Sequence, residues 1–237
     1  MCLIFFMEGV SRSLVNLSAH IYYNEIMKKD NRGIFIVLEG LDRTGKSTHG
    51  KKIVKYLLSK KFKTVYTREP GGTKFTEGIR KLLLDPKHKV IPMAELMLYT
   101  ASRAQHTQEK IIPALKQGKM VLCERYTMST TVYQGYGRKL PLKIVDTLNK
   151  IATFGIKPDL TIVFDMPLTH FKTRSKGFKS DRLERENLQF KNRIRKAYLH
   201  IAKKTTGAVV IDTNKPIAVV QSVLRKKIDT LLKKYKK

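Results

Sequence analysis

Cysteine is scarce: Cys2 and Cys123 are the only two in the chain. Two are too few for a disulfide framework or a zinc cluster, and Cys123 sits in an apolar, strand-like run where a small buried thiol is ordinary. The six histidines show no ligand spacing, so no structural metal is expected. Long apolar runs are missing as well. Nothing approaches the roughly 20 residues that span a bilayer, and the opening MCLIFFMEGVSRSL lacks a basic leader and a clear small-residue cleavage site. These absences lead us to expect a cytoplasmic protein with reduced thiols and no membrane segment.

Acid is the third shortage, with 19 Asp and Glu against 48 Lys and Arg, a formal net charge of +29. A balance this basic favours anionic partners. The excess, however, is mostly lysine spread through helix-like segments and the KKIDTLLKKYKK tail, and no aromatic residues interleave with a compact basic patch. We read a solvated, lysine-rich surface whose field attracts phosphorylated small molecules, in preference to a nucleic-acid face.

What is present is enough for one sizeable core in 237 residues. Residues 1–32 carry little charge and no firm periodicity before MKKDNRG, so they are expected to form a flexible N-terminal extension, with Met27 a natural start for a domain over 33–237. From Gly33 onward, apolar runs at 33–39, 63–68, 120–124, 160–165 and 208–212 alternate with segments of helical period. That alternation predicts an α/β fold with a five-stranded parallel sheet and helices on both faces. Ile53, Val54, Leu57 and Leu58 make one stripe of a helix over 46–60, and 184–203 and 216–234 are similarly amphipathic. Pro113 is expected to kink or divide 93–117.

The residues Gly40, Leu41, Asp42, Arg43, Thr44, Gly45, Lys46 and Ser47 match G-x-x-x-x-G-K-[ST], between a strand and a helix that continues through Thr48. Glycines let the backbone close around phosphate oxygens, free amides at the helix start hold them, Lys46 reaches the outer phosphates, and Ser47 suits magnesium. The motif points to a nucleoside triphosphate without saying what is done with it.

Four further segments occur in order: TREPGGT (67–73) followed by Glu77, LYTASRAQH (98–106), ERYTMSTTVYQGYGR (124–138) and SDRLERENLQF (180–190). Together with the cradle they make the chain resemble the thymidylate kinase family over nearly all of 33–234, bacterial-like but with an arginine in its phosphate loop. The resemblance implies a P-loop nucleoside monophosphate kinase fold with a lid at about 172–186, ATP as donor, Mg2+, dTMP as acceptor, and a homodimer.

Placed by resemblance, Glu69 and Pro70 shape the monophosphate pocket, and Arg80 and Arg125 grip the acceptor phosphate. Tyr99 lies under the thymine, although beside Leu96 and Met97 it also reads as core packing. Arg103 faces the base's carbonyl edge. Ser129, Thr130, Tyr133 and Gln134 lie near base and sugar, with Tyr133 crowding a ribose 2′-hydroxyl. Asp42 faces the acceptor sugar, Arg43 and the lid's Arg182 act as catalytic cations with Lys46, Arg174 stacks on adenine, and Glu124 assists Ser47 at the metal. Arg185 is a further lid arginine.

Two departures stand out. Glu124-Arg125 replaces the family's usual Asp-Arg, and Met128 stands where many bacterial members are polar; both bear on turnover. Two alternatives stay open at this point: another deoxynucleoside monophosphate kinase, or a basic P-loop ATPase that binds nucleic acid.

Overall fold

The computed structural model describes residues 32–175, 177 and 179–235; the expectation about residues 1–31 therefore lies outside the described residues. Arg32, grouped with that extension, pairs through both terminal nitrogens with Asp159, at 3.1 and 2.7 Å. Asp159 also accepts from the Phe35 amide at 2.8 Å and the Tyr235 hydroxyl at 2.5 Å. One carboxylate thus ties both ends of the described chain to the sheet.

The sheet contains β1 (Phe35–Gly40), β2 (Thr64–Arg68), β3 (Met120–Glu124), β4 (Leu160–Asp165) and β5 (Ala208–Asp212). Every pairing is parallel and the order is β2-β3-β1-β4-β5. β1 starts later than its apolar run because the Gly33 amide donates to Leu115 O at 2.8 Å and not to a strand neighbour. As the central strand it is buried at every position, which is why its sequence is a continuous apolar run.

The helices that matter below are α1 (Lys46–Ser59), α2 (Lys74–Leu84), α3 (Pro92–His106), α4 (Ile112–Lys116), α5 (Thr127–Thr130), α6 (Leu142–Ala152), α7 (Phe171–Ser175), α8 (Leu188–Lys204) and α9 (Ile217–Tyr235). Alternation along β1 divides the core. Ile36 and Leu38 face α1 and α9, meeting Ile53, Leu57, Leu224 and Ile228. Phe35 and Val37 face the other way, onto Ile111, Ile112 and Leu115. A third apolar cluster, including Leu41, Leu83, Tyr99, Tyr133, Val163 of β4 and Tyr198, floors the site described below.

One local boundary follows the expectation and one departs from it. Pro113 does divide its segment: α3 widens into a π-helical turn at Thr107–Ile111 before α4, whose second residue is Pro113. Proline has no N–H to donate there, so the wider turn carries the chain past the missing bond. α8 starts at Leu188, not 184, because Asp181 Oδ1 accepts from the amides of Leu183 and Glu184 at 2.9 and 2.8 Å, holding a turn. Asn187 then caps the helix by accepting from the Phe190 amide at 2.8 Å.

Candidate active site

The loop after β1 bends where no side chain fits. Gly40 has φ 122°, and a Cβ there would lie 2.3 Å from Phe164 O. Thr44 Oγ1 donates to Leu41 O at 2.8 Å, and α1 opens after Gly45 with no side chain capping its first turn. Those amides therefore face the cleft, as an anion requires. Lys46 Nζ folds onto the loop, donating to Gly40 O at 3.0 Å and Leu41 O at 2.6 Å. Burial pulls its pKa down to about 8, reinforced by the charge of Arg125 and partly countered by Asp42 and Glu124.

Ser47 Oγ donates to Glu124 Oε2 at 2.8 Å, and the Tyr66 hydroxyl donates to Glu124 Oε1. The tyrosine claims one oxygen of the longer carboxylate and leaves the other facing Ser47, which accommodates glutamate at this position. Arg43 has φ 64°, and its guanidinium meets lid residue Glu184 at 2.8 Å. Thr48 and Arg174 complete this side; Arg174 donates to Thr213 O at 2.7 Å. The cleft encloses about 1200 Å³.

A second, tighter hollow adjoins it, lined by Pro70, Leu84, Tyr99, Arg103, Ser129, Thr130, Tyr133, Gln134 and Leu183. Asp42, Glu69, Arg80, Arg125 and Asp181 line both. Arg125 donates to Asp42 Oδ1 at 2.6 Å, and the Tyr133 hydroxyl donates to Oδ2 at 3.2 Å. Burial works against the Asp42 anion, but Arg125 and then Lys46 outweigh it, so its pKa falls well below the carboxylate range. Arg80 is aimed by a 2.8 Å bond to Pro70 O. Gly72, at φ 95°, cannot be replaced, since a Cβ would lie 2.6 Å from Thr67 Oγ1 and 2.7 Å from His106 Nε2.

Arg103 is 1% exposed. Its Nε donates to Glu69 Oε2 at 2.8 Å, NH1 to Thr130 Oγ1 and Asn149 Oδ1 at 2.8 Å each, and NH2 to Tyr126 O at 3.0 Å. Of its five N–H groups, one on NH2 is left for a ligand by these bonds. Tyr133 and Gln134 reach the hollow from a π-helical segment, Thr131–Gly137, where the widened turn presents two consecutive side chains. Gln134 Nε2 donates to Glu95 Oε1 at 2.7 Å. Tyr99 is both a wall of the hollow and part of the apolar cluster beneath it, so the two readings of that residue coincide. Met128 packs into the same cluster, 8% exposed.

The structure thus gathers the sequence-derived site residues around two adjoining hollows, with Gly40, Leu41 and Thr44 forming the loop behind the cleft and not its lining. Arg182 lines neither hollow. Its NH1 meets Glu95 Oε2 at 2.6 Å and its Nε donates to Leu83 O at 2.8 Å, so the arginine expected over the transferring phosphate is bonded to Glu95 and Leu83. Glu95 is wholly buried and holds Arg138 as well, at 3.2 Å. Ser129 lines the hollow, but its hydroxyl is engaged with Glu39 and Arg125.

Sequence reasoning missed Glu39, Tyr66, Glu95, Tyr198 and Glu184. Glu39 alone carried a signal, a charge ending a strand that is otherwise apolar.

Comparison with known proteins agrees with this geometry. The family model described as thymidylate kinase matches residues 38–224. A thymidylate kinase of Carboxydothermus hydrogenoformans is 45% identical over 186 residues, covering 78% of this chain and 92% of that protein. One from Caldanaerobacter subterraneus subsp. tengcongensis is 39% identical over 203 residues, covering 85% and 98%. The crystal structure of thymidylate kinase from Ehrlichia chaffeensis superposes with TM-score 0.68 at 31% identity, covering 83% of this chain and 98% of that one.

Proposed function

The chain belongs to the thymidylate kinase family, and on that premise we propose how its own residues turn dTMP into dTDP at the expense of ATP. The reaction is phosphoryl transfer from ATP to dTMP. One observation carries the assignment of roles: the larger cleft and the tighter hollow share Asp42, Arg80 and Arg125. A triphosphate on the loop and a monophosphate in the hollow then meet at that wall.

Little covalent work falls to the protein in such a transfer, so rate comes from alignment and charge stabilisation. The acceptor phosphate is already anionic near neutral pH and needs no general base. Arg80 and Arg125 hold it, Asp42 accepts a hydrogen bond from the sugar 3′-hydroxyl, and Tyr99 with Arg103 receives the thymine. Lys46 leaves its loop carbonyls to take the outer phosphates. Ser47 Oγ and Glu124 Oε2, 2.8 Å apart, are hard oxygen donors of the kind that suit Mg2+; a bound ion there neutralises charge on the terminal phosphates. Measuring ADP release with dTMP, dUMP, dCMP and dGMP in parallel tests the assignment. dTMP should dominate, and equal turnover with dCMP or dGMP would remove the thymine role given to Tyr99 and Arg103.

Arg43 is proposed to stabilise the transferring group once released from Glu184. Because Lys46, Arg125 and Arg174 also line the cleft, Arg43→Ala should cost less in kcat than the ~10³–10⁵-fold attributed to a sole arginine finger. Single-turnover rates decide this, and a loss inside that range would make Arg43 the indispensable cation.

Lys46 gives the pH dependence a sign. Its ammonium is held down to about 8, so the free enzyme loses this charge as pH rises through that value. kcat/KM for ATP, which reports the free enzyme, should fall on an alkaline limb near pH 8. In kcat the limb should move to higher pH, because a bound polyanion favours the protonated amine. A flat profile to pH 10 would contradict this.

A homodimer is supported by an apolar stripe on α2, where Phe75 is 63% and Leu82 50% exposed, seven residues apart and so on one face. A Cβ on Gly78 between them would meet nothing within 4 Å. Light scattering after gel filtration should give twice the chain mass, and Phe75→Glu with Leu82→Glu should give the single mass. Among the described residues no helix is long and apolar enough to cross a membrane.

A further inference from the structure

Glu39 is fully buried at the end of β1, one residue before the phosphate loop. Its Oε1 accepts from the amides of Tyr126 and Ser129 at 2.9 and 3.2 Å. Its Oε2 accepts from Ser129 Oγ at 2.6 Å and from the Tyr198 hydroxyl at 3.2 Å. Those two hydroxyl oxygens are in turn the partners of Arg125 NH1, at 3.1 and 3.2 Å. On its far side, NH2 of Arg125 donates to Asp42 at 2.6 Å.

The direction of the bonds that Arg125 makes is forced. A guanidinium only donates, so Ser129 and Tyr198 must accept from Arg125. Each hydroxyl then has a single proton left: Ser129 Oγ lies 2.6 Å from Glu39 Oε2, and the Tyr198 hydroxyl lies 3.2 Å from Glu39 Oε2 and 2.8 Å from Ser129 Oγ. With Ser129 donating to Glu39, and Tyr198 donating either to Glu39 or to Ser129, the relay ends on Glu39 as a carboxylate that only accepts. Burial raises the Glu39 pKa, countered first by the Ser129 hydroxyl and then by the charge of Arg125. The arginine therefore helps to keep its own support ionised.

We propose that Glu39 is a positioning residue for phosphoryl acceptance: through the Ser129 and Tyr198 hydroxyls it fixes both NH1 hydrogens of Arg125, so that the guanidinium presents one orientation to the monophosphate. The backbone fits this demand. Arg125 holds φ 68°, a conformation costly for a residue other than glycine, and its amide donates to Leu38 O at 2.8 Å. β1 thus anchors both the backbone and, by way of Glu39, the head of the same arginine. The proposal rests on the reading that Arg125 meets the acceptor phosphate.

Steady-state kinetics of Tyr198→Phe, Ser129→Ala, Glu39→Gln and Arg125→Met test it, with each hydroxyl variant also made in the Arg125→Met background. Loss of one hydroxyl should raise KM for dTMP about tenfold, the weight of a hydrogen bond to a charged group, with KM for ATP unchanged. Glu39→Gln should do at least as much, because its amide donates where the relay needs an acceptor. In the Arg125→Met background the hydroxyl losses should have no further effect on KM, since nothing is left to position. A purely structural role would instead lower Tm equally in both backgrounds and leave KM unmoved. If Glu39→Gln fails to fold, Tyr198→Phe alone carries the test. Should Arg125→Met raise KM for dTMP while the hydroxyl variants do not, the relay is overturned and the acceptor reading stands. Should Arg125→Met itself leave KM unchanged, the acceptor reading falls and the proposal with it.

Discussion

Replacing Lys46 with methionine should lower kcat by about 10²–10³-fold, the usual weight of one preorganised charge aimed at a developing anion. Methionine keeps the stem and shape but removes the ammonium that now rests on Gly40 O and Leu41 O, at 3.0 and 2.6 Å. The loop's own carbonyls satisfy the amine, and a triphosphate has only to offer oxygens of higher charge to draw it across. KM for dTMP should change far less than kcat, because the acceptor is proposed to be held by Arg80 and Arg125. Lysine-to-arginine replacement should not rescue turnover, since a planar guanidinium cannot occupy the space of a compact ammonium. Rapid-quench measurement of ADP formation checks this. A kcat within fivefold of the parent would mean that the transferred charge is stabilised elsewhere.

Replacing Arg103 with methionine should be the most damaging single change to stability. The guanidinium is 1% exposed and Glu69 3%, and four of the arginine's N–H groups are spent on Glu69, Thr130, Asn149 and Tyr126. Breaking a buried ion pair from one side leaves an uncompensated charge and costs about 3–5 kcal/mol. For a chain of this size that lowers Tm by on the order of 10 °C. His106 Nδ1 lies 3.0 Å from the other Glu69 oxygen and does not replace the lost partner. Thermal unfolding followed by circular dichroism measures the loss, and a Tm shift under 2 °C would show that the Glu69 charge is relieved by rearrangement. The same bonds hold the guanidinium in one orientation with one NH2 hydrogen uncommitted, which suits the base-edge role proposed for Arg103.

The architecture was readable because its signals are local. A central parallel strand buried on both faces must be apolar throughout, and Phe35–Gly40 reads that way. The loop that follows can only be glycine where the backbone nears Phe164, so Gly40 and Gly45 announce the cradle before any coordinate is known. Strand boundaries came within two residues for the same reason. The start of α8 did not, because the apolar period runs on through residues whose side chains, Asp181 and Asn187, bond to nearby amides and delay the helix.

Site residues divide along a similar line. Asp42, Arg80, Arg125 and Tyr133 could be placed from sequence motifs, which fix spacing along the chain. Partners distant in sequence could not: Glu95 with Gln134 and Arg182, Tyr66 with Glu124, Tyr198 with Ser129, and Glu184 with Arg43. Tyr66 meets Glu124 because β2 and β3 pair side by side, Tyr198 reaches Ser129 from α8, and Glu95 and Glu184 meet their partners from segments far apart in the chain. The sequence context of Arg182 fits a catalytic arginine, while its bond to Glu95 at 2.6 Å is visible only in the fold.

By itself the sequence determined the parallel sheet, the phosphate loop and the chemical type of the residues around it, since burial period, positive φ and motif spacing act over a few residues. Only the tertiary structure decided that two hollows share a wall at Asp42 and Arg125, and that a buried glutamate stands behind that arginine. Desolvation and hydrogen-bond direction depend on what comes within about 3 Å in space, and neighbours at that distance are set by the fold.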